Sequence, residues 1–201
     1  MAFKAALDDF YFNLNELGLL KQVQSLPGFE EITDDIVPSI LEENARFVEE
    51  QVAPLNVIGD REHSVWQDGI VKTPTGFKEA FKSYTESGWQ ALQHDPEFGG
   101  QGFPKLLAAV TSENINAANL SFALCPLLTD GCIEAITQAG SEEQKQKFIP
   151  PMLEGRWTGT MNLTEPQAGS DLALVNSKAV KQEDGSYRIT GQKIFITYGE
   201  H

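Results

Sequence analysis

Thr164-Glu165-Pro166-Gln167-Ala168-Gly169-Ser170-Asp171, followed across a hairpin by Ile194-Phe195-Ile196-Thr197, is the pair of runs on which the reading of this chain turns. The first opens a loop after a strand-like stretch over 157–163. It combines hydroxyl and carboxylate side chains, a proline, and the small pair Ala168-Gly169, which leaves backbone N–H groups uncovered. The second is an apolar strand whose last residue carries a hydroxyl. Two β edges that each end in a threonine suit a flat heterocycle with alternating donors and acceptors along one rim. The small residues beside them suit a phosphate approached by backbone amides. Either threonine alone would pass for an ordinary strand-end residue. Order, spacing and flanks together carry the functional reading.

Upstream of these runs the sequence is helical. Residues 7–23 read as one amphipathic helix, with Leu7, Phe10, Tyr11, Leu14, Leu17 and Val23 at helical spacing and Pro27-Gly28 as its stop. A second helix is expected from 33 or 34 to a stop at Pro54, carrying Ile36, Ile40, Phe47, Val48 and Val52; Pro38 is tolerable in its opening turns. Residues 54–75 read as loop, punctuated by Gly59-Asp60, Asp68-Gly69 and Pro74. A short helix over 75–87 ends on Gly88. Helical periodicity then fills 105–118 and 120–139, and Gly140 stops it. Ser141-Glu142-Glu143-Gln144 is a capping box, whose helix is expected to end near Ile149, before Pro150-Pro151.

After Arg156 the period changes. Residues 175–181 and 187–190 read as strands around a Glu183-Asp184-Gly185 turn, and 192–197 as a further strand. The fold class is therefore mainly α: an N-terminal helical bundle over 1–156, then the first strands of an antiparallel β domain over 157–201.

Hydrophobic residues make up 41% and charged residues 22% of the 201, an ordinary globular composition. A net charge of −14 disfavours a nucleic-acid partner and an anionic membrane surface. Cys125 and Cys132 lie seven apart with no Cys-x-x-Cys, which suits reduced, buried thiols in a cytoplasmic protein rather than a metal or redox site. No uninterrupted apolar run approaches membrane-spanning length, so no span is expected. The N-terminus carries acids early and does not read as a secretory signal.

In words, the paired runs resemble the flavin-binding signature of the acyl-CoA dehydrogenase family, usually Thr-Glu-Pro-Gly-Ala-Gly-Ser-Asp and later Trp/Phe-Ile-Thr-Asn-Gly. Asp95-Pro96-Glu97-Phe98-Gly99-Gly100-Gln101-Gly102 resembles the family loop Pro-Glu-x-Tyr-Gly-Gly-x-Gly. As a phosphate cradle that tract is weak, since no strand precedes it, and a tight turn between helices accounts for it better. The resemblance implies FAD as cofactor, with Thr164 and Thr197 at the flavin's pyrimidine edge and N5 side. It further implies that Met161, Asn162 and Leu163 lie along the ring, that Phe195 and Ile196 belong to the wall beside it, and that Gly169 lies in the small-residue turn. Ser170 matches a family serine near the FAD pyrophosphate and the CoA portion of the substrate. Gln167 replaces the commoner glycine; either it is strained, or the loop keeps an ordinary backbone and the side chain faces solvent or CoA. That variant and the helical extension at 7–23 resemble the subgroup that includes methylmercaptopropionyl-CoA dehydrogenases.

The implied activity is oxidation of an acyl-CoA thioester to the trans-2-enoyl-CoA. A carboxylate takes the α-proton, hydride passes to the flavin, and electrons then go to an electron-transfer flavoprotein. No carboxylate in this sequence matches the family's catalytic glutamate, which lies in a later helical domain. The expectation is thus an N-terminal part of an enzyme that forms a homo-oligomer when full length. The alternatives are a non-catalytic truncated fragment and part of an acyl-CoA oxidase. His63, His94 and His201 have no carboxylate or serine partner at informative spacing and read as surface or loop residues. The pairs Asp34-Asp35, Glu42-Glu43 and Glu49-Glu50 read as solvated helix faces.

Overall fold

The computed structural model describes residues 3–198. Eight α-helices and two β-hairpins lie in this range: α1 Leu7–Tyr11, α2 Leu19–Gln24, α3 Ile36–Phe47, α4 Ala53–Glu62, α5 Phe77–Glu86, α6 Lys105–Ala118, α7 Leu120–Ala139 and α8 Glu142–Leu153, with strands β1 Val65–Gln67, β2 Ile70–Lys72, β3 Lys178–Lys181 and β4 Tyr187–Thr190. The mainly helical class with a short antiparallel sheet is as the sequence implies, and β3 pairs with β4 from Lys178↔Thr190 to Lys181↔Tyr187.

Several boundaries differ from expectation, each for a local reason. The 7–23 helix is two helices, because α1 passes into a π turn at Phe12–Glu16 and Gly18 then takes a left-handed φ of 69°. Pro54 does not stop the second helix. A π turn at Val48–Val52 widens the hydrogen-bond ladder, and Pro54 falls at the start of α4, where a missing N–H is tolerated. The expected loop over 54–75 consequently holds most of α4 and the β1–β2 hairpin, turned at Asp68-Gly69. Nor do Pro150 and Pro151 end α8. Their carbonyls accept from the backbone N–H of Glu154, Arg156 and Trp157, while Ile149, Met152 and Leu153 bury beside them. The capping box is present, with the Ser141 hydroxyl accepting from Gln144 N–H at 3.2 Å and the Gln144 side chain accepting from Ser141 N–H at 2.9 Å.

Three apolar clusters hold the helices. Phe10, Leu14 and Leu20 of the N-terminal extension pack against Val37, Leu41, Leu107 and Val110. Phe47, Val52, Tyr84, Ile115 and Phe122 join α3, α5, α6 and α7. Ile133, Ile149 and Met152 fasten α8 to α7. Leu41 and Leu107 are fully buried, and each such leucine contributes about 1.5–3 kcal/mol. Asn44 and Asn114 meet inside this core at 3.0 Å.

Helix α7 packs against α4, α6 and α8 as a bundle helix. It is long and apolar enough to cross a membrane by length and composition, with a mean hydropathy of 1.4, a feature that the uninterrupted-run criterion passed over. His94 lies in a loop but not at the surface: it is 5% exposed, and its Nε2 lies 2.8 Å from Asp130 Oδ1 on α7, which also accepts from Gln90 Nε2 at 2.7 Å. Thirty-six residues separate the pair, so no local spacing announced it. His201 lies outside the described residues.

Candidate functional site

The segment after α8 runs along α7 before it reaches the first run. Gly159 N–H donates to Thr129 Oγ1 at 3.1 Å, and a Cβ added at Gly159 would stand 2.4 Å from Cys132 Cβ. Residues 157–163 are not the strand the sequence suggested. The backbone donors of Trp157 and Gly159 bond to Pro151 and Thr129 of the helical bundle instead of to a neighbouring strand.

The two runs do come together. Ile194 N–H donates to Thr164 C=O at 3.0 Å, and the Thr160 hydroxyl donates to Thr197 C=O. Among the described residues this contact is a single rung rather than a regular strand over 192–197. Phe195 sits at φ 53° and Tyr198 at φ 69°, left-handed conformations that interrupt an extended backbone and that bulky residues adopt at a cost of about 1–2 kcal/mol. Tyr198 lies beside the Cys125 thiol of α7, at the far end of the run. Burial pushes the Cys125 thiol up to about 12 and raises Tyr198 as well. Both cysteines are free thiols, as expected, though Cys132 is only half-buried.

At the middle of the first run lies a group whose importance sequence reasoning missed. Glu165 is 1% exposed. Its carboxylate accepts from Gln167 Nε2 at 2.6 Å, Asn176 N–H at 2.9 Å, Ser177 N–H at 3.1 Å and Lys193 Nζ at 2.8 Å. The Asn176 amide foremost, then the Lys193 ammonium and Ser177, hold its carboxyl far below the usual carboxylate range. These bonds also shorten the strand expected at 175–181. The amides of Asn176 and Ser177 are spent on Glu165, Leu172–Leu174 forms a 3₁₀ turn, and the ladder begins only at Lys178. Lys193, 28 residues away, was the only hint in the sequence, as the nearest basic residue before the second run.

Gln167 keeps a negative φ, so the ordinary-backbone alternative is the one adopted. The residue is exposed, and its amide donates to Glu165 and to Leu174 C=O across the loop. The 95–102 tract is a tight turn: Asp95 caps Glu97 N–H, and a Cβ on Gly100 would stand 1.9 Å from the His94 carbonyl oxygen.

The remaining predicted residues are mostly at the surface. Met161 is 60% and Phe195 88% exposed, with Leu163 also exposed. Asn162, Gly169 and Ser170 are exposed too, while Thr164, Ile196 and Thr197 are half-buried. A Cβ at Gly169 would meet nothing within 4 Å, so the small-residue turn is open to an approaching group. Exposed apolar and aromatic surface beside hydroxyls and backbone amides fits a flat heteroaromatic with a polar rim. A separate cavity of about 350 Å³ in the bundle is lined by Trp89, Lys105, Leu127, Asp130 and Glu134 among others. None of the predicted site residues lines it.

A mainly helical bundle leading into short antiparallel strands is the fold class of flavin-binding acyl-CoA dehydrogenases in comparison with known proteins. Residues 38–156 match the acyl-CoA dehydrogenase N-terminal domain, and residues 160–201 match the acyl-CoA dehydrogenase middle domain. The chain belongs to the acyl-CoA dehydrogenase family. Over all of its 201 residues it is 47% identical to a 3-methylmercaptopropionyl-CoA dehydrogenase of Ruegeria pomeroyi, covering 34% of that protein. The structure resembles butyryl-CoA dehydrogenase from Megasphaera elsdenii (TM-score 0.69, 31% identity, 84% of this chain and 42% of that one). It also resembles an acyl-CoA dehydrogenase from Bacillus anthracis complexed with FAD (TM-score 0.68, 25% identity, 83% of this chain and 27% of that one). The chain thus spans about a third of the length of the first of these relatives.

Proposed function

We propose that this chain supplies one side of the FAD site in an acyl-CoA dehydrogenase that oxidises an acyl-CoA thioester to the 2-enoyl-CoA and passes electrons to an electron-transfer flavoprotein. The observation that carries the reading is the meeting of the two runs at the Thr164–Ile194 rung, with Met161, Leu163 and Phe195 left open beside it. When bound, FAD would supply the hydride acceptor. Thr164 and Thr197 would offer their hydroxyls and neighbouring amides to its ring edge. Met161 and Phe195 would cover apolar ring surface and exclude water from it. Ser170 and the open turn at Gly169 would receive phosphate oxygens. The base that takes the α-proton is assigned to no residue of this chain. Identity to a 3-methylmercaptopropionyl-CoA dehydrogenase over the whole chain supports a CoA thioester as the substrate class. A cytoplasmic, homo-oligomeric enzyme remains the accompanying proposal.

The test is anaerobic addition of acyl-CoA thioesters to the complete gene product loaded with FAD. Bleaching of the visible flavin band is expected with at least one short or medium acyl chain. A protein that takes up no FAD, or whose flavin stays oxidised with every thioester, would contradict the reading.

A further inference from the structure

We propose that Glu165 and Lys193 form a buried clamp that positions the flavin edge, holding the first run against the second at one fixed separation. The proposal rests on the reading of these runs as a flavin site and adds two positioning residues to it. Three observations carry it. Glu165 follows Thr164 and Lys193 precedes Ile194, so the ion pair stands next to the backbone rung that joins the runs. Lys193 Nζ is also shared with Leu163 C=O at 2.9 Å, on the other side of Thr164. The carboxylate further gathers the amides of Asn176 and Ser177 and the Gln167 side chain, so one buried anion ties together the loop, the start of the hairpin and the second run.

The physical need is plain. One backbone rung and the Thr160 hydroxyl bond to Thr197 C=O are few ties for two segments, and a shift in register would move the threonines off the ring edge. Such movement is costly for a carboxylate that is itself only 1% exposed, because each lost donor leaves its charge less well paired. The clamp therefore converts the desolvation cost of one anion into a fixed spacing. Lys193 is the residue to alter first: its side chain is 26% exposed, and Glu165 would keep its three N–H partners without it.

The experiment uses the complete gene product as wild type, Lys193→Met and Lys193→Arg. It measures FAD affinity, the visible absorption envelope of bound flavin, and the thermal midpoint of the apoprotein. Lys193→Met is expected to weaken FAD binding about tenfold, the loss of one charge-assisted bond, and to alter the flavin spectrum. The apoprotein should lose some stability with the ion pair yet stay folded at the assay temperature, and Lys193→Arg should restore most of the affinity. Wild-type affinity and spectrum in Lys193→Met would overturn the clamp alone. So would a loss of affinity with an unchanged spectrum of the flavin that does bind, the outcome of a merely less stable apoprotein. Failure of the wild type to bind FAD would overturn the flavin reading and the clamp together.

Discussion

At the residue scale Glu165 is the pivot of the site. Its carboxyl is held below the usual range, by the Asn176 amide first and then by Lys193 and Ser177. A depressed carboxyl stabilises the fold above its unfolded value, about 4.3 for glutamate, and that contribution drains away as pH falls toward the folded value. Stability should accordingly be flat from about pH 7 to 5 and decline below about pH 4. Glu165→Gln should show a shallower decline in urea midpoint over the same acid range. Equal slopes in the two proteins would mean that Glu165 is not the group titrating. Cys125 gives a second residue-scale expectation. Its thiol is fully buried and pushed up to about 12, whereas Cys132 is only half-buried. Thiolate is the reactive form, so alkylation of the native protein at about pH 8 should label Cys132 well before Cys125, read by peptide mass spectrometry. Equal labelling would mean that Tyr198 and its segment do not close over α7.

Among the elements, long periodic helices were legible. Residues 105–118 and 120–139 match α6 and α7, and the Ser141 capping box fixes the start of α8. Replacing Ser141 with alanine should cost about 1 kcal/mol by chemical unfolding. What the sequence concealed were features settled by partners far along the chain. Proline as a stop signal failed at Pro54, where a π turn absorbs the missing donor, and at Pro150-Pro151, where burial of Met152 and Leu153 keeps the turn closed. The strands predicted around 157–163 and 192–197 read as strands by composition, yet donors of Trp157, Gly159 and Ile194 go to Pro151, Thr129 and Thr164. The candidate site shows the same division. The motif pair marks which residues gather, but the carboxylate that gathers them is satisfied by amides 11 and 12 residues away and an ammonium 28 away. His94 and Asp130 illustrate it again. Asp130→Ala strips the partner from buried His94 and Gln90, and should cost about 1–3 kcal/mol in a urea titration. A change near zero would mean that water replaces the carboxylate.

For the molecule as a whole, stability should be uneven. Helices α3, α6 and α7 share buried clusters, whereas β3 and β4 are exposed along their entire lengths. Amide exchange should be slow over 105–139 and fast over 178–190. The central claim is that the runs at 161–171 and 194–197 are two halves of one flavin edge. Hydrogen exchange of the complete gene product with and without saturating FAD tests it most directly. Peptides covering 160–171 and 192–198 should both gain protection on FAD binding, while 178–190 changes little. FAD binding that leaves those two peptides unprotected, or protects only one of them, would contradict the account.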